Sequence, residues 1–174
     1  MLSERELLKS PSNENSSFRK IAESSSTVME NMSDIVWSIN PANDEMDKII
    51  EKIQNYAYEI LESRGINLLM EIDDDVKKYS IKVEKRRHFY LIFKESINNI
   101  AKYAQATEVK IYILLKGNVV DSTIYDNGVG FYTLGKTQGN GLRNMKERAE
   151  LIGGNIEITS NSQNGTTVHF TFKV

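Results

Sequence analysis

The sequence of 174 residues contains no cysteine and only two histidines. Without cysteine the chain can form neither disulfides nor thiolate metal sites, a composition that fits a reducing compartment. His88 and His169 are too far apart in the sequence to have the spacing of a metal site. No apolar run reaches the roughly 18 residues that span a bilayer, and the polar first twenty residues do not resemble a secretory signal. We therefore expect the chain, as given, to be soluble and to contain no membrane segment.

An excess of charge of one sign is also missing. The 22 basic and 24 acidic residues are spread through the sequence and give a formal net charge of -2. This balance excludes the basic surface that a nucleic-acid partner requires. At this length, a hydrophobic content of 40% is sufficient for one globular domain with an appendage.

The appendage is a helical pattern in the first forty residues. Residues 10–17 are polar and include proline, and we expect a loop there. Within residues 18–39, apolar residues recur at intervals of three and four, close to a heptad repeat. We interpret this as the second helix of a hairpin that pairs with another copy of the chain, and residues 1–9 as the end of the first helix. A surface helix lying on its own domain is the alternative.

A domain boundary is expected near Asn40 and Pro41, because the residue before proline is disfavoured in the α region. Residues 1–41 form a partial helical dimerisation and phosphotransfer segment, and residues 42–174 form a second domain. The second domain is predicted to begin with a helix that is capped by Asn43 or Asp44 and ends at Gly65 as its C′ residue.

The second domain alternates strand and helix patterns. Its predicted elements are a strand at 66–72, an acidic turn at 73–75, a long helix at 83–104, a hairpin at 109–125 that turns at Gly117 and Asn118, a helix at 142–152, and strands at 156–160 and 166–173. Hairpin-paired strands with helices between them predict an α/β fold: a two-layer α/β sandwich with a mixed sheet and helices on one face.

Four clusters of polar residues and glycines indicate a nucleotide site. Residues 126–131 read Asp-Asn-Gly-Val-Gly-Phe. A carboxylate can accept a hydrogen bond from the exocyclic amine of a purine, and glycines let the backbone approach the flat base. Alone, these six residues fit an ordinary turn equally well. The other clusters, at 95–104, 139–142 and 165–167, favour the nucleotide interpretation.

The cluster at 95–104 places functional groups on one face of the predicted long helix. Glu95, Asn98 or Asn99, and Lys102 are spaced at i, i+3 or i+4, and i+7. An amide oxygen can bind Mg²⁺, a carboxylate can bind a metal-bound water, and an ammonium group can bind phosphate. A solvated face without a ligand is the alternative for this helix taken alone.

The order of these clusters resembles the GHKL superfamily, whose members share the Bergerat ATP-binding fold, over about residues 66–174. Residues 95–104 are similar to its N box, 126–131 to its first glycine box, 139–142 to its second, and 165–167 to its last. The resemblance implies ATP and Mg²⁺ as cofactors, and residues 131–140 as a lid over ATP.

Site residues follow from the same resemblance. It implies that Asp126 binds the adenine amine, that Thr166 assists through a water, and that Asn99 binds Mg²⁺. The backbone at Gly139 and Gly141 meets the triphosphate at a helix N-terminus. Tyr103 stands where relatives often carry histidine, and either ring can pack beside the base. Glu95 and Asn99 are the expected catalytic residues, and the expected ATP-binding residues are Asn98, Asn99, Lys102, Tyr103, Asp126, Gly128, Gly130, Phe131, Gly139, Asn140, Gly141, Leu142, Thr166 and Thr167.

Two further segments are similar to sensor histidine kinases related to the nitrate and desaturase sensors. Residues 141–149 match their Gly-Leu-x-x-Met-x-Glu-Arg-Ala segment, and residues 32–41 resemble the end of their second dimerisation helix. This implies transfer of the ATP γ-phosphoryl group to a histidine and then to the receiver domain of a response regulator. It also implies a homodimer through helix 18–39, in the cytoplasmic part of a larger membrane-anchored sensor.

The phosphoacceptor is not evident in the chain. No histidine precedes His88, so we expect the acceptor to lie upstream of this chain, which should not autophosphorylate alone. His88 and His169 are interpreted as structural. One alternative is a serine kinase of the anti-sigma type, which has the nucleotide boxes without the helical hairpin. Another is a non-catalytic ATP-binding dimerisation module, which the intact Asp126, Asn99 and Gly141 disfavour.

Overall fold

The structure, a computed structural model, describes residues 11–131, 140–162 and 164–174. The predictions for residues 1–9, for Gly139 and for most of the lid lie outside the described residues. The chain divides into two compact units, one ending at Trp37 and the other comprising Ser38–Val174.

Helix α1, Pro11–Ile39, accounts for the described part of the first unit and extends two residues beyond it. The loop predicted for residues 10–17 is wrong for 11–17, which are helical. Proline is tolerated at the first helical position, and the polar residues after it cost at most about 0.7 kcal/mol each in a helix. The predicted apolar stripe is present and exposed, although pairing with a second copy stays a prediction. Its exposed residues are Phe18, Ile21, Val28, Met29, Met32, Ile35, Val36 and Ile39.

The predicted break after Ile39 lies near the start of the second unit. Asn40 has an extended backbone, and its Oδ1 accepts a hydrogen bond of 3.0 Å from the N–H of Ala42. This bond starts a 3₁₀ turn, Pro41–Asn43. The proline therefore separates α1 from the helices of the second unit, as expected.

Helix α2, Met46–Glu62, begins the α layer of the second unit. The prediction that Asn43 or Asp44 caps it is wrong: Glu45 precedes the helix without a side-chain cap, because Asn43 belongs to the 3₁₀ turn. The predicted C′ residue is confirmed. Gly65 has φ +68°, and the N–H of Ile66 bonds the carbonyl of Leu61 at 3.0 Å, which is a Schellman ending.

Five strands form one mixed sheet in the order β1-β2-β3-β5-β4. Strand β1 pairs with β2 in parallel, and all the other pairs are antiparallel. The predicted hairpin is confirmed, with Gly117 and Asn118 joining β2 to β3. The strands are β1 Asn67–Ile72, β2 Glu108–Lys116, β3 Val119–Asp126, β4 Asn155–Asn161 and β5 Gly165–Lys173.

Three more helices complete the α layer: α3, Asp74–Lys77, α4, Val83–Asn99, and α5, Asn140–Leu151. The predicted acidic turn is the start of α3, where the Asp73 side chain accepts a hydrogen bond from the N–H of Asp75. The long helix predicted for 83–104 is α-helical only as far as Asn99. A π-helical turn, Ile100–Ala104, follows, and Gln105 ends it in the left-handed conformation with φ 53°.

The core lies between the helices and one face of the sheet. Strand residues on that face are buried in alternation, as with Val109, Ile111 and Ile113 of β2. The ring of Phe93 from α4 packs 5.3 Å from that of Phe170 on β5, centroid to centroid. This arrangement confirms the predicted two-layer α/β sandwich. None of the helices in the described part of the chain combines the length and apolarity needed to cross a bilayer.

Candidate functional site

A cavity of about 520 Å³ lies at the end of α4, beside the ends of β3 and β5 and the start of α5. Asp126 and Asn99, the residues predicted to face the purine and the magnesium ion, both line it. The two residues therefore meet in one cavity, as the nucleotide interpretation requires. The predicted site residues that line the cavity are Glu95, Asn99, Tyr103, Asp126, Gly130, Phe131, Asn140, Gly141, Leu142 and Thr166.

Asp126 is a buried acceptor at the end of β3. It lies opposite Thr166 of β5 in the antiparallel register, and its Oδ1 accepts a hydrogen bond of 2.9 Å from the N–H of Gly128. Burial raises the pKa of the Asp126 carboxyl above its usual value, although hydrogen bonds from Gly128 and Thr166 oppose this rise. A buried carboxylate held in this way can accept a hydrogen bond from an amino group on a ligand.

The backbone around Asp126 is packed so closely that side chains are excluded. Gly165 has φ +73°, and a Cβ added there would collide with the carbonyl oxygen of Asp126. Gly130 has φ +62°, and a Cβ there would collide with the carbonyl oxygen of Asn161. Two glycine positions of the predicted boxes therefore let the loop after β3 approach the β4–β5 turn.

The Ser160 hydroxyl, at a position that no motif predicted, joins three segments beside Asp126. Its Oγ accepts a hydrogen bond of 2.8 Å from the N–H of Phe131. The same oxygen lies 3.1 Å from the carbonyl oxygen of Gly165 and 3.0 Å from Oγ1 of Thr166. The β4–β5 register and the path of the loop after β3 bring these groups together, so no local sequence signal identifies Ser160.

Glu95 and Asn99 occupy the α4 side of the cavity. The Nδ2 of Asn99 donates a hydrogen bond of 3.3 Å to Oε1 of Glu95, so the amide oxygen is the Asn99 atom with capacity for a metal ion. Among the described residues there is no group of three or more acidic, histidine or cysteine side chains that could hold a metal. This donor set fits Mg²⁺, which keeps several waters and binds one or two protein oxygens together with substrate phosphates.

The N-terminus of α5 forms the opposite wall. Asn140, Gly141 and Leu142 line the cavity, and a Cβ on Gly141 would collide with the Glu95 carboxylate. The first N–H groups of a helix lack partners within it and carry partial positive charge, so this end of α5 favours an anion. The Ser96 hydroxyl donates to the carbonyl oxygen of Ile92 at 2.9 Å, and its oxygen lies 3.3 Å from Sδ of Met145, a contact between α4 and α5.

Four predicted ATP-binding residues within the described ranges do not line the cavity. The Oδ1 of Asn98 accepts a hydrogen bond of 2.9 Å from the hydroxyl of Tyr56 in α2, and Lys102 is exposed. Gly128 contributes its N–H to Asp126, and Thr167 follows Thr166 on β5 outside the lining. For these residues, contact with ATP stays a prediction.

Six apolar or small residues of the lining were not anticipated. Ile124 lies two residues before Asp126, and Val168 lies two residues after Thr166. Because side chains alternate along a strand, Ile124 shares a face with Asp126 and Val168 shares a face with Thr166. That period-two signal could have identified both. The other four belong to helices and depend on how those helices pack: Ser96, Ile100, Ala104 and Met145.

Neither histidine lines the cavity. Burial, together with the positive charges of Arg148 and Arg87, lowers the pKa of His88. The Nε2 of His169 lies 3.0 Å from Oδ1 of Asp121. These positions agree with a structural role for both.

The sequence and the fold of this chain have counterparts among known proteins. A family model described as histidine kinase-, DNA gyrase B-, and HSP90-like ATPase matches residues 84–174, just over half of the chain. The oxygen sensor histidine kinase NreB of Staphylococcus carnosus is 28% identical over 144 residues, covering 71% of this chain and 42% of NreB. The sensor histidine kinase LiaS of Bacillus subtilis is 30% identical over 100 residues, covering 57% of this chain and 28% of LiaS. The match thus spans less than half of either relative.

A solved structure has the same fold. The Acinetobacter baumannii histidine kinase AdeS aligns with a TM-score of 0.64 at 17% identity, covering 91% of this chain and 82% of the AdeS chain. At this identity the likeness establishes the architecture, and the chemistry must be argued from the residues around the cavity.

Proposed function

Because this chain belongs to the histidine kinase-, DNA gyrase B-, and HSP90-like ATPase family, we propose that it is the ATP-binding catalytic part of a two-component sensor histidine kinase. It transfers the γ-phosphoryl group of ATP to a histidine outside this chain, from which the group passes to the receiver domain of a response regulator. The observation that carries the proposal is the single cavity of about 520 Å³ that both Asp126 and Asn99 line.

Asp126 and its neighbours bind the base. The carboxylate accepts a hydrogen bond from the exocyclic amine of adenine, with Thr166 beside it in the register. Tyr103, 71% exposed yet part of the cavity lining, lies against the base, and Phe131 forms a second apolar wall. The cavity therefore recognises a flat amino-bearing ring.

The phosphates lie toward α5 and α4. The N–H groups of Asn140, Gly141 and Leu142 receive the phosphates at the helix N-terminus, with Gly139 and Lys102 as further contacts. Asn99 holds Mg²⁺ through its amide oxygen, and Glu95 fixes the amide through the 3.3 Å hydrogen bond. When bound, Mg²⁺ neutralises phosphate charge, as phosphoryl transfer requires.

The remaining assignments concern the parent protein. Residues 1–41 form a partial dimerisation and phosphotransfer segment, and 42–174 the ATP-binding domain. The exposed apolar stripe of α1 pairs with that of a second copy, because an isolated helix buries too little apolar surface to be stable alone. The parent is a membrane-anchored sensor whose kinase part is cytoplasmic. The same α1 stripe disfavours a serine kinase of the anti-sigma type.

ATP binding tests the first step of the proposal. We expect the chain to bind ATP by calorimetry and Mg²⁺ to increase the affinity. Asp126→Asn should weaken binding by roughly ten- to hundredfold, since a hydrogen bond to a buried charged group is lost. The matched control is Asp74→Asn, which changes a carboxylate whose side chain is 85% exposed. Equal affinity of the Asp126→Asn variant and the unchanged chain would refute the assigned base contact.

Phosphoryl transfer needs a separate test. A longer chain that includes the preceding helix of the parent protein should form an acid-labile, alkali-stable phosphohistidine with ATP. Asn99→Ala should abolish this product. An acid-stable phosphoserine on a partner protein would instead favour the serine kinase, and ATP binding without any transfer would favour the non-catalytic module.

A further inference from the structure

Ser160 occupies a row of three polar residues that crosses the sheet at one level. In the antiparallel registers, Ser160 of β4 lies opposite Thr166 of β5, and Thr166 lies opposite Asp126 of β3. Only Asp126 and Thr166 of this row line the cavity. We infer that Ser160 is a positioning residue that sets the purine specificity of the cavity through Thr166. This inference rests on the proposed binding of ATP.

The hydrogen bonds of Ser160 fix the direction of its proton. A hydroxyl group has one proton to donate and two lone pairs that accept. The N–H of Phe131 uses one lone pair at 2.8 Å, so the proton goes to the carbonyl oxygen of Gly165 at 3.1 Å or to Oγ1 of Thr166 at 3.0 Å. The choice depends on where Thr166 donates its own proton.

The Thr166 side chain forms a hydrogen bond with the Asp126 carboxylate, which adjoins it across the β3–β5 pair. An ionised carboxylate can only accept, so Thr166 is the donor. With its own proton on Asp126, the Thr166 oxygen can only accept across the 3.0 Å contact, so Ser160 shares its proton between Thr166 and the carbonyl oxygen of Gly165. The three side chains therefore form a relay of hydrogen bonds with one direction, from Ser160 through Thr166 to Asp126. Successive hydrogen bonds of this kind strengthen one another in a site of low dielectric constant.

The direction of the relay decides what the cavity offers a ligand. With its proton committed to Asp126, Thr166 presents only a lone pair, and Asp126 presents only carboxylate oxygens. A 6-amino purine can donate to such a pair, whereas a 6-oxo purine presents an acceptor and is rejected. The Ser160 contact also fixes the orientation of the Thr166 hydroxyl. Without the Ser160 hydroxyl, Thr166 loses this restraint and can rotate from Asp126 toward the ligand, where its proton stabilises a 6-oxo group.

Ser160 also holds Phe131 in place at the wall of the cavity. Phe131 lines the cavity, and its N–H donates to Ser160. Loss of the hydroxyl leaves this N–H without its acceptor at the point where the chain leaves Gly130. Affinity for ATP should therefore fall together with the preference for the amino purine.

The test compares ATP and GTP affinities, measured by calorimetry, for four chains. Ser160→Ala should bind ATP about five- to thirtyfold more weakly and should lower the ratio of ATP to GTP affinity at least fivefold. Ser160→Thr keeps the hydroxyl on a β-branched side chain that suits a strand, and should stay within about threefold of the unchanged chain. The matched control is Thr159→Ala, on the opposite face of β4, which should change neither quantity.

Two further measurements separate positioning from a general loss of structure. Ser160→Cys keeps the size of the side chain but is a weak hydrogen-bonding group, so it should fold and still lose the ATP preference. In a Thr166→Val background, Ser160→Ala should no longer alter the ATP to GTP ratio, because the relay is already broken. An unchanged ratio in both Ser160→Ala and Ser160→Cys would overturn the inference.

ATP binding by the unchanged chain and by Asp126→Asn tests the proposed function separately from the role of Ser160. If the unchanged chain does not bind ATP, the proposed function fails and the inference fails with it. If the unchanged chain binds ATP and Asp126→Asn does not, while Ser160→Ala behaves as the unchanged chain, only the role of Ser160 is refuted.

Discussion

Arg86 is a charged side chain with no exposure at all, which makes its ion pair with Asp44 decisive. Its Nη1 lies 2.8 Å from Oδ1 of Asp44, an ion pair without the alignment of a hydrogen bond, and donates to the carbonyl oxygen of Asn40 at 3.2 Å. Within the described ranges, its Nε and Nη2 have no hydrogen-bond partner. The charge of this guanidinium is therefore balanced almost entirely by Asp44.

Asp44→Ala should destabilise the second unit by about 2 kcal/mol. Removal of one partner from a fully buried ion pair costs roughly 3–5 kcal/mol, because the other charge remains buried and uncompensated. The Asp44 side chain is 49% exposed, so water already screens part of the attraction and the loss is smaller. Adding Arg86→Met should recover part of this loss, since a methionine of similar length removes the buried charge.

Urea unfolding followed by circular dichroism measures both effects. Asp47→Ala, a nearby exposed carboxylate in the first turn of α2, is the control and should cost no more than about 0.5–1 kcal/mol. The carbonyl of Asn40 keeps a hydrogen bond of 3.1 Å from the N–H of Asn43 in the double variant. If Arg86→Met lowers the stability of the Asp44→Ala protein further, the uncompensated charge is not the cause and the reasoning is refuted.

Three other changes test the core and the titrating groups. Phe93→Ala should lower the free energy of unfolding by about 3–5 kcal/mol, while Leu151→Ala, at a side chain 68% exposed, should change it by less than about 0.5 kcal/mol in urea unfolding. The raised pKa of Asp126 gives a stability contribution that is present below about pH 3.8 and is lost as the pH rises through the folded-state pKa. In the absence of nucleotide, Asp126→Asn should therefore have a higher melting temperature than the unchanged chain at neutral pH, measured by calorimetry. The lowered pKa of His88 gives a contribution to stability that is present above about pH 6.5 and is lost at lower pH. The stability advantage of the unchanged chain over His88→Gln should therefore shrink between about pH 7.5 and 5.5.

The parts of the fold that local patterns determine were predictable from the sequence. The alternation of Leu68 and Met70 placed β1, and Gly117 with Asn118 placed the β2–β3 turn. Asp126 was predictable as a site residue because strand and glycine signals coincide there. Its pairing with Asn99 in one cavity followed from the resemblance to a family, because periodicity alone does not bring distant segments together.

The misassigned or overlooked features depend on packing between segments. Asn43 or Asp44 was expected to cap α2, but Asn43 lies in the 3₁₀ turn and the Asp44 carboxylate forms an ion pair with the buried Arg86. Asn98 shares a predicted helix face with Asn99, yet it turns to Tyr56 of α2. Ser160 has no local signal, since its partners come from two other segments. The helix at residues 11–17 was missed because polar composition disfavours a helix only weakly.

The π-helical turn at Ile100–Ala104 makes the length of this segment as important as its composition. Such a turn holds one residue more than a turn of the α-helix that precedes it, and each residue of an α-helix rotates the chain by about 100°. Deleting one residue here would restore a regular helix, but it would swing Tyr103 out of the cavity and misplace the Ala104 carbonyl, which accepts the N–H of Val129 at 2.8 Å. Substitutions in this stretch should therefore be tolerated far better than a single-residue deletion.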